Sequence, residues 1–119
     1  MKKKTWILKI KENCVAAGTY KPFFDDVIET LAGILEMRDS AQKEFENSKR
    51  GIAIEVSSRS GGTTMKKNPA YVMILELNTQ ALQYWRDLGL TPSGLKKINE
   101  DAMRGRKRNA LADALKELG

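Results

Sequence analysis

The stretch from Phe24 to Phe45 carries more apolar surface than one partner can cover, and this limits the folds open to the chain. Phe24, Ile28, Leu31, Leu35, Gln42 and Phe45 form a stripe near a 3.5-residue period, and Val27, Ile34 and Ala41 form a second stripe beside it at intervals of seven. Residues three and four apart share a helix face, so the two rows predict one long helix with a wide apolar face. A face of that width needs more than one partner helix. Pro22 suits the first turn, where its missing N–H does no harm, and Asp25 and Asp26 suit the positive end of the helix dipole. Asn47-Ser48-Lys49-Arg50-Gly51 ends the pattern.

Partners are available on both sides. Upstream, Thr5 to Ala17 places Trp6, Ile10 and Cys14 on one face, with Gly18 just past the end of the expected helix. Downstream, the period changes to two: Ile52, Ile54 and Val56 alternate with Ala53, Glu55 and Ser57, then Arg59-Ser60-Gly61-Gly62 turns the chain into a short Thr63-Thr64-Met65 return. A hairpin with a polar, basic tip is expected. Asn68 as N-cap and Pro69 at the first helical position then open a second long helix, with Tyr71, Ile74, Leu75, Asn78, Ala81, Leu82, Trp85 and Leu88 on one face until Gly89.

Thr91-Pro92 starts a further short helix carrying Leu95, Ile98 and Ala102. Gly105 is expected to end it, and Ala110 to Leu118 reads as a separate terminal helix. The expected fold is mainly α: a long antiparallel helix pair joined by a small β-hairpin, with short flanking N- and C-terminal helices. Residues 1–119 read as one domain, comprising a basic helical segment at 1–21, a helix-hairpin-helix core at 22–90 and short helices at 91–119. A pair of helices this size cannot bury both wide faces internally, so copies are expected to pack side by side. Phe24, Ile28, Leu31, Leu35, Phe45, Tyr71, Leu75, Leu82 and Trp85 are the candidate oligomer interface.

Charge narrows the partners. The chain has 21 Lys and Arg against 15 Asp and Glu, a formal net charge of +6 in 119 residues. The first 21 residues hold six lysines against Glu12 alone, and the excess returns after residue 91, whereas residues 22–50 are acidic on balance. An excess of this sign favours a polyanion, with nucleic acid the leading class. Lys2, Lys3, Lys4, Lys9 and Lys11, with Arg104, Arg106, Lys107 and Arg108, are the candidate DNA-binding residues, because phosphate contact needs positive charge and little geometry. Arg59, Lys66 and Lys67 read as a solvated loop.

What is missing excludes several classes. The chain has no His, hence no imidazole base, no Ser-His or Cys-His pair and no His ligands for zinc. One cysteine, Cys14, forms no internal disulfide and suits a reducing cytoplasm. Gly61-Gly62-Thr63-Thr64-Met65-Lys66 lacks phosphate-loop spacing. The Asp25-Asp26 and Glu100-Asp101 pairs point to different sides of a helix, so they read as helix charges and not as metal ligands. No cofactor or metal is expected, and neither is catalysis. The run Trp6 to Leu8 is too short for a signal sequence or a membrane span.

The order of long helix, glycine-containing hairpin, Asn68-Pro69, aromatic- and Leu-bearing helix and Gly89-Leu90-Thr91-Pro92-Ser93 resembles the phage terminase small subunit family of tailed phages and prophages, over about Cys14 to Ala102. Members of that family often have Arg after the Thr-Pro-Ser segment. Here Leu95 stands there, with Lys96 and Lys97 beyond, so no specific guanidinium contact carries over. The segment before the long helix is also short for a separate DNA-binding domain. The resemblance implies a non-catalytic factor that assembles into an oligomeric ring, binds double-stranded viral DNA at the packaging start, and recruits and regulates the large subunit that holds the ATPase and nuclease. The C-terminal helix is the expected contact for that large subunit. An alternative reading is a small dimeric helix-turn-helix DNA-binding regulator, with its turn around Gly18 to Pro22.

Overall fold

The computed structural model describes residues 1–118. Helix α1 (Lys3–Ala17) is followed by a 3₁₀ turn at Pro22–Phe24, helix α2 (Asp25–Ser48), strands β1 (Ala53–Ser57) and β2 (Thr63–Lys67), and helices α3 (Pro69–Asp87) and α4 (Pro92–Leu118). The chain is mainly helical with one two-stranded antiparallel hairpin, as the periodicities require.

Each boundary has a local cause. Gly18 takes the left-handed conformation at φ 74°, which closes α1 through the N–H of Gly18 to Val15 and of Thr19 to Cys14. Lys49 takes the same conformation at φ 55° to end α2. At the start of α3, the Asn68 side chain accepts from the Ala70 N–H at 3.1 Å and donates to the Gly51 carbonyl at 3.2 Å, while its own N–H reaches Ile52 O. One buried residue therefore caps the helix and closes the base of the hairpin. The strands pair Ala53 with Lys67 through Ser57 with Thr63.

Both neighbours of α2 run antiparallel to it. Along α1, Lys3 meets Glu29 and Glu36, Trp6 meets Asp39 and Lys11 meets Asp25. Along α3, Tyr71 stacks near Phe45 with ring centroids 5.9 Å apart, and Asn78 faces Arg38. Ile28, Leu31, Ala32 and Leu35 lie almost wholly buried on α2, joined by Trp6, Ile10 and Cys14 of α1 and by Ile74, Leu77 and Ala81 of α3. Burial of each larger aliphatic side chain contributes about 1.5–3 kcal/mol. α1 thus takes up apolar surface of α2 that was expected to be covered by other copies.

The C-terminal region differs from the expected pair of short helices: α4 is one helix of 27 residues, the longest element in the chain. Gly105 costs only about 1 kcal/mol inside a helix, and the residues around it, rich in Arg, Lys, Ala and Leu, are strong helix formers with no proline among them. Thr91 caps α4, its Oγ1 accepting from the Gly94 N–H at 3.1 Å. Gly94 is the one buried residue of α4, seated against the end of α3, and the helix then extends into solvent, giving the molecule an 84 Å long axis against 30 and 20 Å.

The junction depends on two glycines. Gly89 has φ 72°, and a Cβ there would come within 2.7 Å of Ile98 and 2.9 Å of Thr19. A Cβ at Gly94 would overlap the Arg86 carbonyl oxygen. Thr19 ties α1 into the same place by donating to the Leu88 carbonyl at 2.8 Å. Gly94→Ala should therefore lower stability by about 1–3 kcal/mol through overpacking. Gly105→Ala, which meets open space, should raise helicity and add about 0.5–1 kcal/mol. Urea unfolding followed by far-ultraviolet circular dichroism measures both, and equal effects of the two substitutions would contradict the junction described.

Candidate nucleic-acid and assembly surfaces

The five α1-region lysines do not form one patch. Lys3 pairs with Glu29 at 3.2 Å, and Lys11 lies 3.9 Å from Asp25 and 5.0 Å from the Tyr20 ring centroid. Hydrogen bonding to Tyr20 and the charge of Asp25 hold the Lys11 ammonium above its ordinary pKa. Lys9 leans over Trp6 at 5.3 Å. Lys2 and Lys4 are exposed and form no ion pair among the described residues. Two of the five candidate lysines are thus turned to α2 carboxylates and three face solvent.

Trp6 serves as an anchor. Its indole N–H donates to Asp39 at 2.7 Å, and the same carboxylate receives the Met1 amino group at 2.9 Å and Arg38 at 3.0 Å. Burial alone would raise the Asp39 pKa, but the hydrogen bonds from Met1, Trp6 and Arg38 outweigh it and hold the carboxyl below its usual range. Cys14 is fully buried; burial pushes its thiol up, against a smaller opposing hydrogen bond from Thr19, which leaves it a core side chain.

The basic residues of α4 are differently placed. Arg104 lies 4.0 Å from Asp101 on its own helix, while Arg106, Lys107 and Arg108 are exposed and form no ion pair among the described residues. Consecutive helical residues are about 100° apart, so these three spread around the helix and present charge in most directions. The hairpin also carries Arg59, Lys66 and Lys67, all exposed. Lys49 and Arg50 at its base add charge beyond their part in ending α2, and their place in the polar run from Glu46 to Arg50 signals an exposed segment.

The candidate interface residues divide into three groups. Ile28, Leu31 and Leu35 are at most 1% exposed, which corrects their assignment as an assembly surface: they are used up in the intrachain core, because α1 covers them. Phe24, Phe45, Tyr71 and Trp85 are half-buried against that core. Leu75 and Leu82 remain 47% and 41% exposed. Further exposed apolar side chains were missed, among them Leu8, Val15, Met37 and Met73. Leu8 and Val15 could have been found, since a spacing of seven puts them on one face, opposite Trp6, Ile10 and Cys14.

The α1–α2 geometry also corrects the helix-turn-helix alternative. That motif crosses its helices at about 90–120°, whereas here contacts pair Lys3 with Glu36, Trp6 with Asp39 and Lys11 with Asp25, along the whole of α1. The helices lie side by side, and neither stands out to enter a groove.

Comparison with known proteins gives a family match. A family model described as phage terminase, small subunit, covers residues 3–104. No curated protein and no solved structure matches. The matched span contains α1, α2, the hairpin, α3 and the first half of α4, and so includes the junction at Gly89 and Gly94.

The Asp39 cluster yields a pH prediction. A carboxyl whose folded pKa is depressed stabilises the fold above its unfolded pKa of about 3.9, and that contribution is lost as pH falls through the folded value. Trp6 fluorescence in a Trp85→Phe background should therefore report loosening of α1 only on acidification below about pH 4. Asp39→Asn should cost about 1–3 kcal/mol at neutral pH. A Trp6 signal that titrates in the Asn variant as in the parent would assign the transition elsewhere.

Proposed function

The chain belongs to the phage terminase small subunit family, which places it in phage DNA packaging, and from this we propose that it is an oligomeric, non-catalytic adaptor that binds viral DNA at the packaging start and brings the large ATPase-nuclease subunit to it. The observation that carries the reading is the division of α4. Its middle section presents Arg104, Arg106, Lys107 and Arg108 to solvent, and its last turns expose Leu111, Leu115 and Leu118 at 63%, 61% and 85%. We assign the basic section to DNA phosphates and the leucine-bearing end to the large subunit. An exposed helix is narrow enough for the major groove, and charge distributed around it suits phosphate contact without sequence readout.

Lys2 and Lys9 offer a smaller second patch, and Lys3 and Lys11 are weaker candidates because each already has a carboxylate partner. Side-by-side copies, arranged as a ring, would multiply the α4 charges and so raise affinity by avidity. Large-subunit catalysis fits a small subunit without a single His. No helix among the described residues is long and apolar enough to cross a membrane, and the reading puts the protein in the host cytoplasm where packaging occurs.

Two measurements test the assignment. Affinity for double-stranded DNA should fall steeply with salt, and reversing Arg104, Arg106, Lys107 and Arg108 to Glu should weaken binding at least tenfold. It should also flatten the plot of log affinity against log salt by about 0.9 for each phosphate that is no longer neutralised. Unchanged affinity would remove α4 as the DNA site. Leu111→Ala combined with Leu115→Ala should leave DNA binding intact and abolish stimulation of the large subunit's ATPase; full stimulation by that variant would remove the C-terminal end as its contact.

A further inference from the structure

Two surfaces on this chain match each other in charge and apolar content. The first is the outer side of α1. Relative to the buried row Trp6, Ile10 and Cys14, the residues Lys4, Leu8 and Val15 fall on the opposite side of the helix, at spacings of four and seven, while Lys11 at the flank reaches back to Asp25 of α2. Leu8 is 64% exposed and Val15 61%. The stripe is two aliphatic side chains with one lysine at its N-terminal end, Lys4, which has no ion pair among the described residues.

The second surface is a groove of about 450 Å³ between α2 and α3. It is lined by buried Ala41 and Leu77, by exposed Met37 and Met73, and by Glu36, Glu44 and Glu76. Met37 and Met73 are 54% and 55% exposed. Glu36 accepts the Lys3 backbone N–H, while Glu44 and Glu76 have no ion pair among the described residues. Along α2, Met37, Ala41 and Glu44 step by four and three, which lets a helix lie alongside with its ridge in the groove.

The two surfaces cannot meet within one chain. Ala32 is buried where α1 packs, and Met37 lies five residues on, about 140° around α2. Leu8 and Val15 face away from α2 altogether. The donor surface and the acceptor groove therefore open on different sides of the molecule, which is what a head-to-tail contact between copies requires.

We infer that the outer stripe of α1, Lys4-Leu8-Val15, docks in the α2–α3 groove of a second copy, with Leu8 and Val15 against Met37 and Met73 and Lys4 against Glu44 and Glu76. The inference rests on the assembly part of the proposed function and gives it a specific interface. Apolar contact supplies the affinity, and the opposed charges fix orientation and exclude the like-with-like arrangement. Because the contact joins two different surfaces, it repeats from copy to copy and closes into a ring when the rotation permits. It leaves all of α4 free.

The test uses the full chain in two variants. Lys4→Glu with Leu8→Glu disables the stripe, and Glu44→Lys with Glu76→Lys disables the groove. All four positions are exposed, so both variants should retain the parental circular dichroism. By light scattering, the parent should form a multi-chain assembly and each variant alone a monomer of 13.4 kDa. An equimolar mixture should associate at least to a one-to-one dimer, since the working stripe of one variant meets the working groove of the other. A parent that is monomeric at every concentration would overturn the assembly reading and this interface together. An assembling parent whose variants assemble equally well, or whose monomeric variants fail to dimerise on mixing, would overturn this interface alone.

Discussion

The structure depends on how the apolar surface of α2 is covered. Its wide face would be costly to leave in water, and the chain covers it twice, with α1 on one flank and α3 on the other. Ile28, Leu31 and Leu35 form a fully buried row on α2, within the same core as Ile10 of α1 and Ile74 and Leu77 of α3. The polar contacts act as positional markers along this frame. Trp6 with Asp39 fixes the register of α1, Phe45 with Tyr71 marks the far end of α3, and Thr19 with Leu88 brings the ends of α1 and α3 together. The register of α1 follows from these markers, and with it the position of every outward side chain on that helix.

Elements with strong periodicity or strong punctuation were legible in the sequence. α2 could be read from its two stripes, the hairpin from the switch to period two, and α3 and α4 from Asn68-Pro69 and Thr91-Pro92, whose caps form as the residue types imply. The error at Gly105 came from treating one glycine as a stop when the propensity of its neighbours exceeded its cost. The error at Ile28, Leu31 and Leu35 had a different origin. A periodic pattern shows that a face is buried but not by which partner, and the expected assembly was given residues that α1 had already covered.

Charge was legible as an amount but not as an arrangement. Six lysines in the first 21 residues look like one basic segment, yet the helix turns Lys3 and Lys11 toward Glu29 and Asp25 and leaves Lys2, Lys4 and Lys9 outward. Such exposed pairs contribute little to stability, commonly below about 1 kcal/mol. Their effect is to neutralise part of the α1 charge and leave α4 as the larger uncompensated site. The acidic balance of residues 22–50 has a place in the same scheme, since carboxylates on the α1 side of α2 hold α1 lysines while Glu44 faces the groove.

The leftover apolar residues complete the argument. A three-helix frame with one helix in the middle exposes the outer side of α1 and the trough between α2 and α3, and in a chain that worked alone both would be expected to be polar. Instead Leu8 and Val15 occupy one and Met37 and Met73 the other. Single exposed apolar side chains need no explanation, but here one set is flanked by Lys4 and the other by Glu44 and Glu76, and the proposed interface rests on that complementarity. α4 begins at the Gly89–Gly94 junction and leaves the frame immediately. Its basic and leucine-bearing sections are thus separated from the surfaces proposed to hold copies together, so the proposed assembly and ligand contacts do not compete for the same residues.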